Sequence, residues 1–102
     1  MNSLEVRKKT ITNIHESEFK FVIVSSGGGS NAIGSFLKVP GASNSILEAY
    51  IPYAKESLDF YLMKKPESYC SLDTTTRMAA RAYSAAKKID QKTNIEKLFG
   101  VA

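Results

Sequence analysis

The chain begins with apolar residues at helical spacing and then changes to a short apolar run. The spacing predicts an amphipathic helix with a narrow apolar stripe over residues 3–16. The stripe consists of Leu4, Ile11 and Ile14. After a polar break, residues 19–24 are aromatic or β-branched apart from Lys20, which is typical of a strand. Because both faces of this strand are apolar, we expect an interior strand that is covered on two sides.

A serine- and glycine-rich turn over residues 25–31 separates this strand from a second predicted helix. The apolar face of that helix begins at Ala32. The helix ends before Pro40, because the residue that precedes a proline is disfavoured in the helical region. The turn is therefore predicted to join the end of a strand to the start of a helix.

The next segment predicts two short elements. Residues 42–47 have room for one helical turn, with Ser43 or Ser45 as its cap. Residues 48–53 have the composition of a second strand. Pro52 cannot donate a ladder hydrogen bond, so we expect the end of this strand to lie at a sheet edge or a bend.

Two further helices and a third strand complete the pattern. Residues 54–63 carry apolar side chains on one helical face. Residues 72–88 predict a longer helix, for which Ser71 is a favourable N-cap, and its alanines would let it lie close to a sheet. Residues 98–102 predict the third strand.

Helices that alternate with strands indicate βαβ units and a mainly parallel sheet. The sequence therefore predicts a three-layer α/β/α fold in a single domain, with an N-terminal helix over residues 1–17 and an α/β core over residues 18–102. The third strand-like run ends the chain without a following turn, so we expect the domain to be truncated at its C-terminus. An incomplete sheet has an exposed edge, and we therefore expect a homo-oligomer in which a partner copy completes it.

Composition and charge narrow the classes of function. A length of 102 residues allows one domain with one core. The net charge of +4 comes from basic residues scattered among acidic ones, which argues against a nucleic-acid-binding surface and suits a small anionic ligand. No apolar run approaches the roughly 18 residues of a membrane span, and no signal peptide is recognisable. The single cysteine, Cys70, cannot form an internal disulfide, and no residue cluster has metal-ligand spacing. We expect a cytoplasmic protein without a cofactor or a membrane partner.

The turn over residues 25–31 has the composition of an anion-binding site. Its glycines and the N-terminus of the following helix expose backbone N–H groups, and the helix dipole favours negative charge. The run Gly-Gly-Gly-Ser-Asn-Ala also fits the dinucleotide-binding pattern G-x-G-x-x-A, with Glu48 near the expected offset. Against that interpretation, the predicted helix is short, and Glu48 begins a strand instead of ending one.

Ser30 lies in the pattern G-x-S-x-A, a degraded form of the nucleophile elbow. No Asp and His follow it in the order that such a triad requires. The only histidine, His15, lies upstream at the end of a predicted helix. We therefore expect His15 to be a surface residue and not a general base.

Three segments together resemble the CinA C-terminal domain family, which is nicotinamide-nucleotide amidase-like. They are Ser-Gly-Gly-Gly-Ser-Asn-Ala-Ile at residues 26–33, Val-Pro-Gly-Ala-Ser at residues 39–43 and Tyr-Ile-Pro-Tyr at residues 50–53. The second segment follows the glycine-rich turn at the family's ungapped distance, and the resemblance covers residues 15–102. The turn is especially similar to a eukaryotic branch in which this domain can be joined to a nucleotidyltransferase-like domain.

The resemblance implies an amidase that hydrolyses the carboxamide of nicotinamide mononucleotide and releases ammonia. In amidase members a serine of the turn is the nucleophile, and ungapped counting places Ser26 at that position. Nearby N–H groups would then form an oxyanion hole. The resemblance further implies that the substrate or its anionic group is bound by Gly27, Gly28, Gly29, Ser30, Asn31 and Tyr53.

The sequence departs from the family at the residues that activate the serine. Ser25 stands where the family has a glutamate, and Leu58 stands where amidase members have a lysine. Lys55 lies three residues earlier and would face about 60° away on a helix. A later Thr-Gly-rich segment, which supplies another catalytic hydroxyl in the family, has no counterpart in this sequence. Because loss of a general base typically costs about 10²–10⁴ in rate, a non-catalytic CinA-like module that binds a nucleotide or a partner protein is the alternative hypothesis.

Overall fold

The computed structural model describes all residues from 1 to 102, and three strands alternate with four helices along the chain. The helices are α1 (Ser3–Glu16), α2 (Ser30–Lys38), α3 (Lys55–Leu62) and α4 (Leu72–Ile89). The strands are β1 (Lys20–Val24), β2 (Ile46–Tyr50) and β3 (Leu98–Val101). Two short 3-10 helices precede β2 and β3, at Ala42–Asn44 and Ile95–Lys97. None of the helices is both long enough and apolar enough to cross a membrane.

The three strands form one parallel sheet in the order β2-β1-β3. β1 lies in the middle, and its residues from Phe21 to Val24 are all buried. The two neighbours are edge strands and are more exposed. The structure thus confirms the α/β class, the parallel sheet and the interior position of the first strand.

Side-chain alternation along β1 divides the core into two clusters on opposite faces of the sheet. Val22 and Val24 pack with α3 and α4, in the larger cluster. Phe21 and Ile23 pack with Ile33 of α2 in a cluster of only three buried residues. Because α1 and α2 contact mainly the first 3-10 helix and cover little of the sheet, the predicted full three-layer arrangement is not confirmed.

The strand order determines where a ligand site can form. The crossover from β1 leads to β2 at one edge of the sheet, and the crossover from β2 leads back past β1 to β3 at the other edge. Because crossovers between parallel strands are right-handed, these two must lie on opposite faces of the sheet. α2 lies on one face and α3 with α4 on the other, as this rule requires. The carboxyl end of β1 is therefore a topological switch point, where open α/β sheets bind ligands.

Local chemistry accounts for the start of α4 and of the first 3-10 helix. The Ser71 side chain accepts a hydrogen bond from the Thr74 N–H and caps α4, as predicted from the sequence. At the first 3-10 helix, neither Ser43 nor Ser45 is the N-cap. That position is Gly41, whose φ of 95° lies in the left-handed region that favours glycine. Ser45 instead follows the turn and is fully buried.

Two sequence-based expectations, the exposure of His15 and the bounds of the second strand, are wrong. His15 is not a surface residue, because only 2% of it is exposed. The second strand covers Ile46–Tyr50 and not residues 48–53, so Tyr53 lies outside the sheet and is 79% exposed. The strand starts earlier because Phe21 of β1 pairs with Ile46, and it ends before Pro52.

The C-terminus of α4 is held by an acid-sensitive turn. Asp90 accepts hydrogen bonds from the Lys92 and Thr93 N–H groups and the Thr93 hydroxyl, at 2.6 to 3.0 Å. The bonds from Thr93 lower the pKa of Asp90 below its ordinary value of 3.8. A carboxylate with a lowered pKa stabilises the fold above its unfolded pKa, and this stabilisation is lost as the pH falls through its folded pKa.

We therefore expect Asp90→Ala to lower the melting temperature at neutral pH. The difference from the parent protein should stay constant above about pH 5 and close below about pH 4. Thermal unfolding monitored by circular dichroism from pH 7 to pH 2 measures it. A difference that persists undiminished at pH 2 would show that the charge of Asp90 is not what holds this turn.

Candidate functional site

The serine- and glycine-rich loop, defined here as residues 25–31, lies at the carboxyl end of β1. The backbone N–H of Ser25 donates to the carbonyl oxygen of Tyr50 at 2.9 Å, so the start of the loop continues the pairing of β1 with β2. α2 begins at Ser30, and its N-cap residue, Gly29, provides no side-chain cap. The loop is therefore fixed at the sheet on one side and at an uncapped helix N-terminus on the other.

Several backbone N–H groups of this loop have no hydrogen-bond acceptor in the chain. They belong to Ser26, Gly28, Gly29 and Asn31. The helix dipole adds partial positive charge at the same place, and α2 has no acidic residue in its first turn. Such a set of free donors at a strand–helix junction suits an anion, above all a phosphate or a carboxylate.

The loop glycines are not explained by the fold. Gly27 and Gly28 have no left-handed φ, and a Cβ added to either would meet nothing within 4 Å. Only Gly29 is restricted, because its Cβ would lie 2.9 Å from the Ser25 hydroxyl. Other residues would therefore fit at positions 27 and 28. Glycine at these two positions would let a ligand approach the backbone closely.

A cation shares a groove with Asn31, the last residue of the loop. Asn31 lines a groove of about 530 Å³ between α1 and α2, and Arg7 of α1 lines the same groove. The guanidinium of Arg7 forms no ion pair in the structure. Sequence reasoning missed Arg7 because it belongs to a different element, and nothing in its local pattern distinguishes it from other exposed basic residues.

The structure places Ser26 beside the free N–H groups but gives it no base. The Ser26 side chain is partly exposed and forms no hydrogen bond. Leu58 is 3% exposed in the main core, so that position offers neither a proton acceptor nor access to solvent. The Lys55 ammonium lies over the Tyr69 ring, 5.7 Å from its centre. A serine without a base within hydrogen-bond reach is a weak nucleophile.

Of the residues predicted for the site, six form one continuous surface at the end of the sheet. They are Ser26, Gly27, Gly28, Gly29, Ser30 and Asn31. Tyr53 lies after β2 at the same edge of the parallel sheet, but its ring is on the surface and forms no hydrogen bond. The structure thus brings the six loop residues together at one end of the sheet, and the tyrosine does not enclose them.

His15 and Ser45 form a buried pair elsewhere in the molecule. His15 Nδ1 lies 2.6 Å from Ser45 Oγ, and His15 Nε2 lies 2.9 Å from the carbonyl oxygen of Phe36. Since a carbonyl only accepts, Nε2 carries a proton, and in the neutral ring Nδ1 accepts from the serine hydroxyl. A serine nucleophile must reach its substrate, whereas Ser45 is fully buried. The pair joins α1, α2 and the turn before β2 and is structural.

Comparison with known proteins identifies no relative. No protein-family model matches the chain, and neither does any curated protein or solved structure. No group of three or more His, Cys, Asp and Glu side chains is arranged to hold a metal ion. The case for a function therefore depends on the loop and its surroundings.

Proposed function

We propose that this chain is a nucleotide-binding domain of the CinA C-terminal type, which holds the phosphate of a nicotinamide mononucleotide-like ligand on residues 25–31. The observation that carries the proposal is the set of backbone N–H groups without acceptors at the carboxyl end of β1. The switch-point position of the loop, the uncapped N-terminus of α2 and the free guanidinium of Arg7 support it. The single cysteine is consistent with a cytoplasmic location, which belongs to the same proposal.

Hydrolysis of the ligand's carboxamide is a second candidate function, and the position of Ser26 favours it. This serine follows β1 directly, next to N–H groups that could stabilise an oxyanion. The buried leucine at position 58 counts against it, because the general base that the resemblance implies is missing. Nucleotide binding is therefore our first proposal, and hydrolysis of the carboxamide is the second.

The binding proposal predicts that a negative charge in the loop excludes the ligand. Gly28→Asp should weaken binding of nicotinamide mononucleotide about 10-fold or more, because the new carboxylate opposes the phosphate. Gly28→Asn is the matched control, since it has the same shape without the charge and should bind more tightly than the aspartate variant. Position 28 is open, so neither variant should unfold the protein.

Isothermal titration calorimetry at low salt measures these affinities, with nicotinamide riboside as the ligand that lacks the phosphate. We expect the riboside to bind more weakly than the mononucleotide, and Arg7→Gln to reduce that difference. Equal affinities for both ligands, or equal affinities of the Asp and Asn variants, would contradict a phosphate site on this loop. Ammonia release assayed in parallel separates the two functions: release that disappears in Ser26→Ala would establish the amidase.

A further inference from the structure

A second cavity, of about 330 Å³, lies beside β2 on the face of the sheet that carries α3 and α4. It exists because α4 packs mainly over β1 and β3 and leaves the outer part of β2 uncovered. Glu48 and Tyr50 project from β2 into this uncovered region, since they pair with Val22 and Val24 and share their face. The volume is at the lower end of the range for small-molecule sites, about 300–1,000 Å³.

Tyr61, which lines this cavity, carries a buried hydroxyl without a hydrogen-bond partner. Tyr61 is only 9% exposed, and its Oη is shielded from solvent and has no hydrogen-bond partner. Burial raises the pKa of Tyr61 above its ordinary value, so the group remains a protonated donor. Buried polar groups are nearly always hydrogen-bonded, and an exception is explained by strain or by a partner from outside the chain, such as a water molecule or a ligand.

Two cations line the same cavity, and neither forms an ion pair. Arg81 Nε donates to the Tyr61 carbonyl oxygen at 3.1 Å, and its guanidinium carbon lies 5.8 Å from the Tyr61 ring centre. The remaining N–H groups of Arg81 have no carboxylate partner, and the exposed Lys88 forms no ion pair. Glu48 is the one acidic residue in the lining, so the cavity has an excess of positive charge.

Aromatic side chains also line the cavity. Phe60 is 86% exposed although it belongs to α3, and it lines the cavity. The Tyr50 and Tyr61 rings lie 5.4 Å apart between centres and are tilted by 47°. A flat ring can pack against these faces, and aromatic contacts of this kind contribute beyond the buried area alone.

We propose that this cavity binds a small aromatic molecule with an anionic group. The ring packs against Phe60 and Tyr50, the anionic group pairs with Arg81 and Lys88, and one of its oxygens accepts from the Tyr61 hydroxyl. The Tyr61 hydroxyl is shielded in the free protein, so binding requires a side-chain rearrangement that opens it to the ligand. The site shares no residue with the glycine-rich loop and does not depend on the function proposed for it.

The test is a titration with naphthalene-2-carboxylate, monitored by the amide chemical shifts of the whole chain. We expect saturable shifts around α3 and residues 81–88, with a dissociation constant of about 1 mM or below. Naphthalene-2-carboxamide, which lacks the charge, and cyclohexanecarboxylate, which lacks the aromatic ring, should each bind at least about 5-fold more weakly. Ser26→Ala should leave binding unchanged, because it alters only the loop.

Two variants decide whether the named groups are responsible. Tyr61→Phe should weaken naphthalene-2-carboxylate binding about 5- to 10-fold. The same variant should raise the melting temperature by a few degrees, because it removes a buried donor without a partner. Lys88→Gln should weaken binding without a change in the melting temperature.

A merely structural tyrosine would not change stability and binding in opposite directions. Absence of saturable shifts, or saturable binding that Tyr61→Phe and Lys88→Gln both leave unchanged, would overturn the proposal. Equal affinity for the carboxylate and the carboxamide would overturn its electrostatic part.

Discussion

Gly100→Ala is expected to lower the free energy of unfolding by about 3 kcal/mol or more, at the upper end of the range for overpacked cores. Gly100 lies in β3 where the backbone of α4 crosses the strand. A Cβ at this position would overlap the carbonyl oxygen of Ala79 and the backbone nitrogen of Tyr83, and would lie 2.9 Å from the Tyr83 Cα. These are backbone atoms, so the clash cannot be relieved by a change of rotamer.

Urea unfolding measured by circular dichroism tests this expectation, and Gly34→Ala is its matched control. Gly34 lies inside α2, and a Cβ there meets nothing within 4 Å. The control should be neutral or more stable by up to about 1 kcal/mol, because alanine is the better helix former. If Gly100→Ala were as stable as the parent protein, α4 would not approach β3 as the structure shows.

Replacing His15 by leucine should cost about 2–4 kcal/mol of stability, the second large effect. The variant keeps an apolar side chain of similar size but removes both ring nitrogens. The Ser45 hydroxyl and the Phe36 carbonyl oxygen would lose their partners in the protein interior, and each buried unsatisfied group costs about 1–3 kcal/mol. The position would thus behave as a core site, although it lies near the end of a mostly exposed helix.

Ser45→Ala and the double variant His15→Leu/Ser45→Ala measure how strongly the two side chains depend on each other. The double variant should lose less stability than the sum of the single variants, because the second substitution removes a group that the first has already left without a partner. Urea unfolding of all four proteins measures this coupling. A loss below about 0.5 kcal/mol for His15→Leu, the range of ordinary surface substitutions, would show that the pair does not join these elements.

Elements determined by neighbouring residues were predictable from the sequence. The observed bounds of α1, Ser3–Glu16, are those predicted from its apolar spacing. Ser71 was identified as the cap of α4, because a serine before a helical pattern with an acidic first turn satisfies the first N–H groups locally. The parallel sheet followed from the alternation of helices and strands, because parallel strands need a crossover between them.

The composition of the loop was also sufficient to locate a candidate anion site. The sequence places three glycines between a strand and the start of a helix. Backbone N–H groups at such a helix N-terminus have no partner within the helix and can bind an anion. The composition of the loop could not predict whether Ser26 is catalytic, because a nucleophile needs a base that lies within hydrogen-bond reach in the folded protein. The structure shows no base hydrogen-bonded to Ser26, and Arg7, the cation that shares a groove with Asn31, comes from a helix that precedes the loop by two elements.

The residue pattern alone was therefore enough to predict the order of helices and strands, the α/β class and the position of the loop. These depend on backbone preferences and on spacing within a few residues. The tertiary structure alone decided that His15 is buried, that Gly100 lies under α4 and that the Tyr61 hydroxyl lacks a partner. Each of these depends on which faces of distant segments meet. His15 and Ser45 are 30 residues apart, and only packing of α1 against the turn before β2 makes them neighbours.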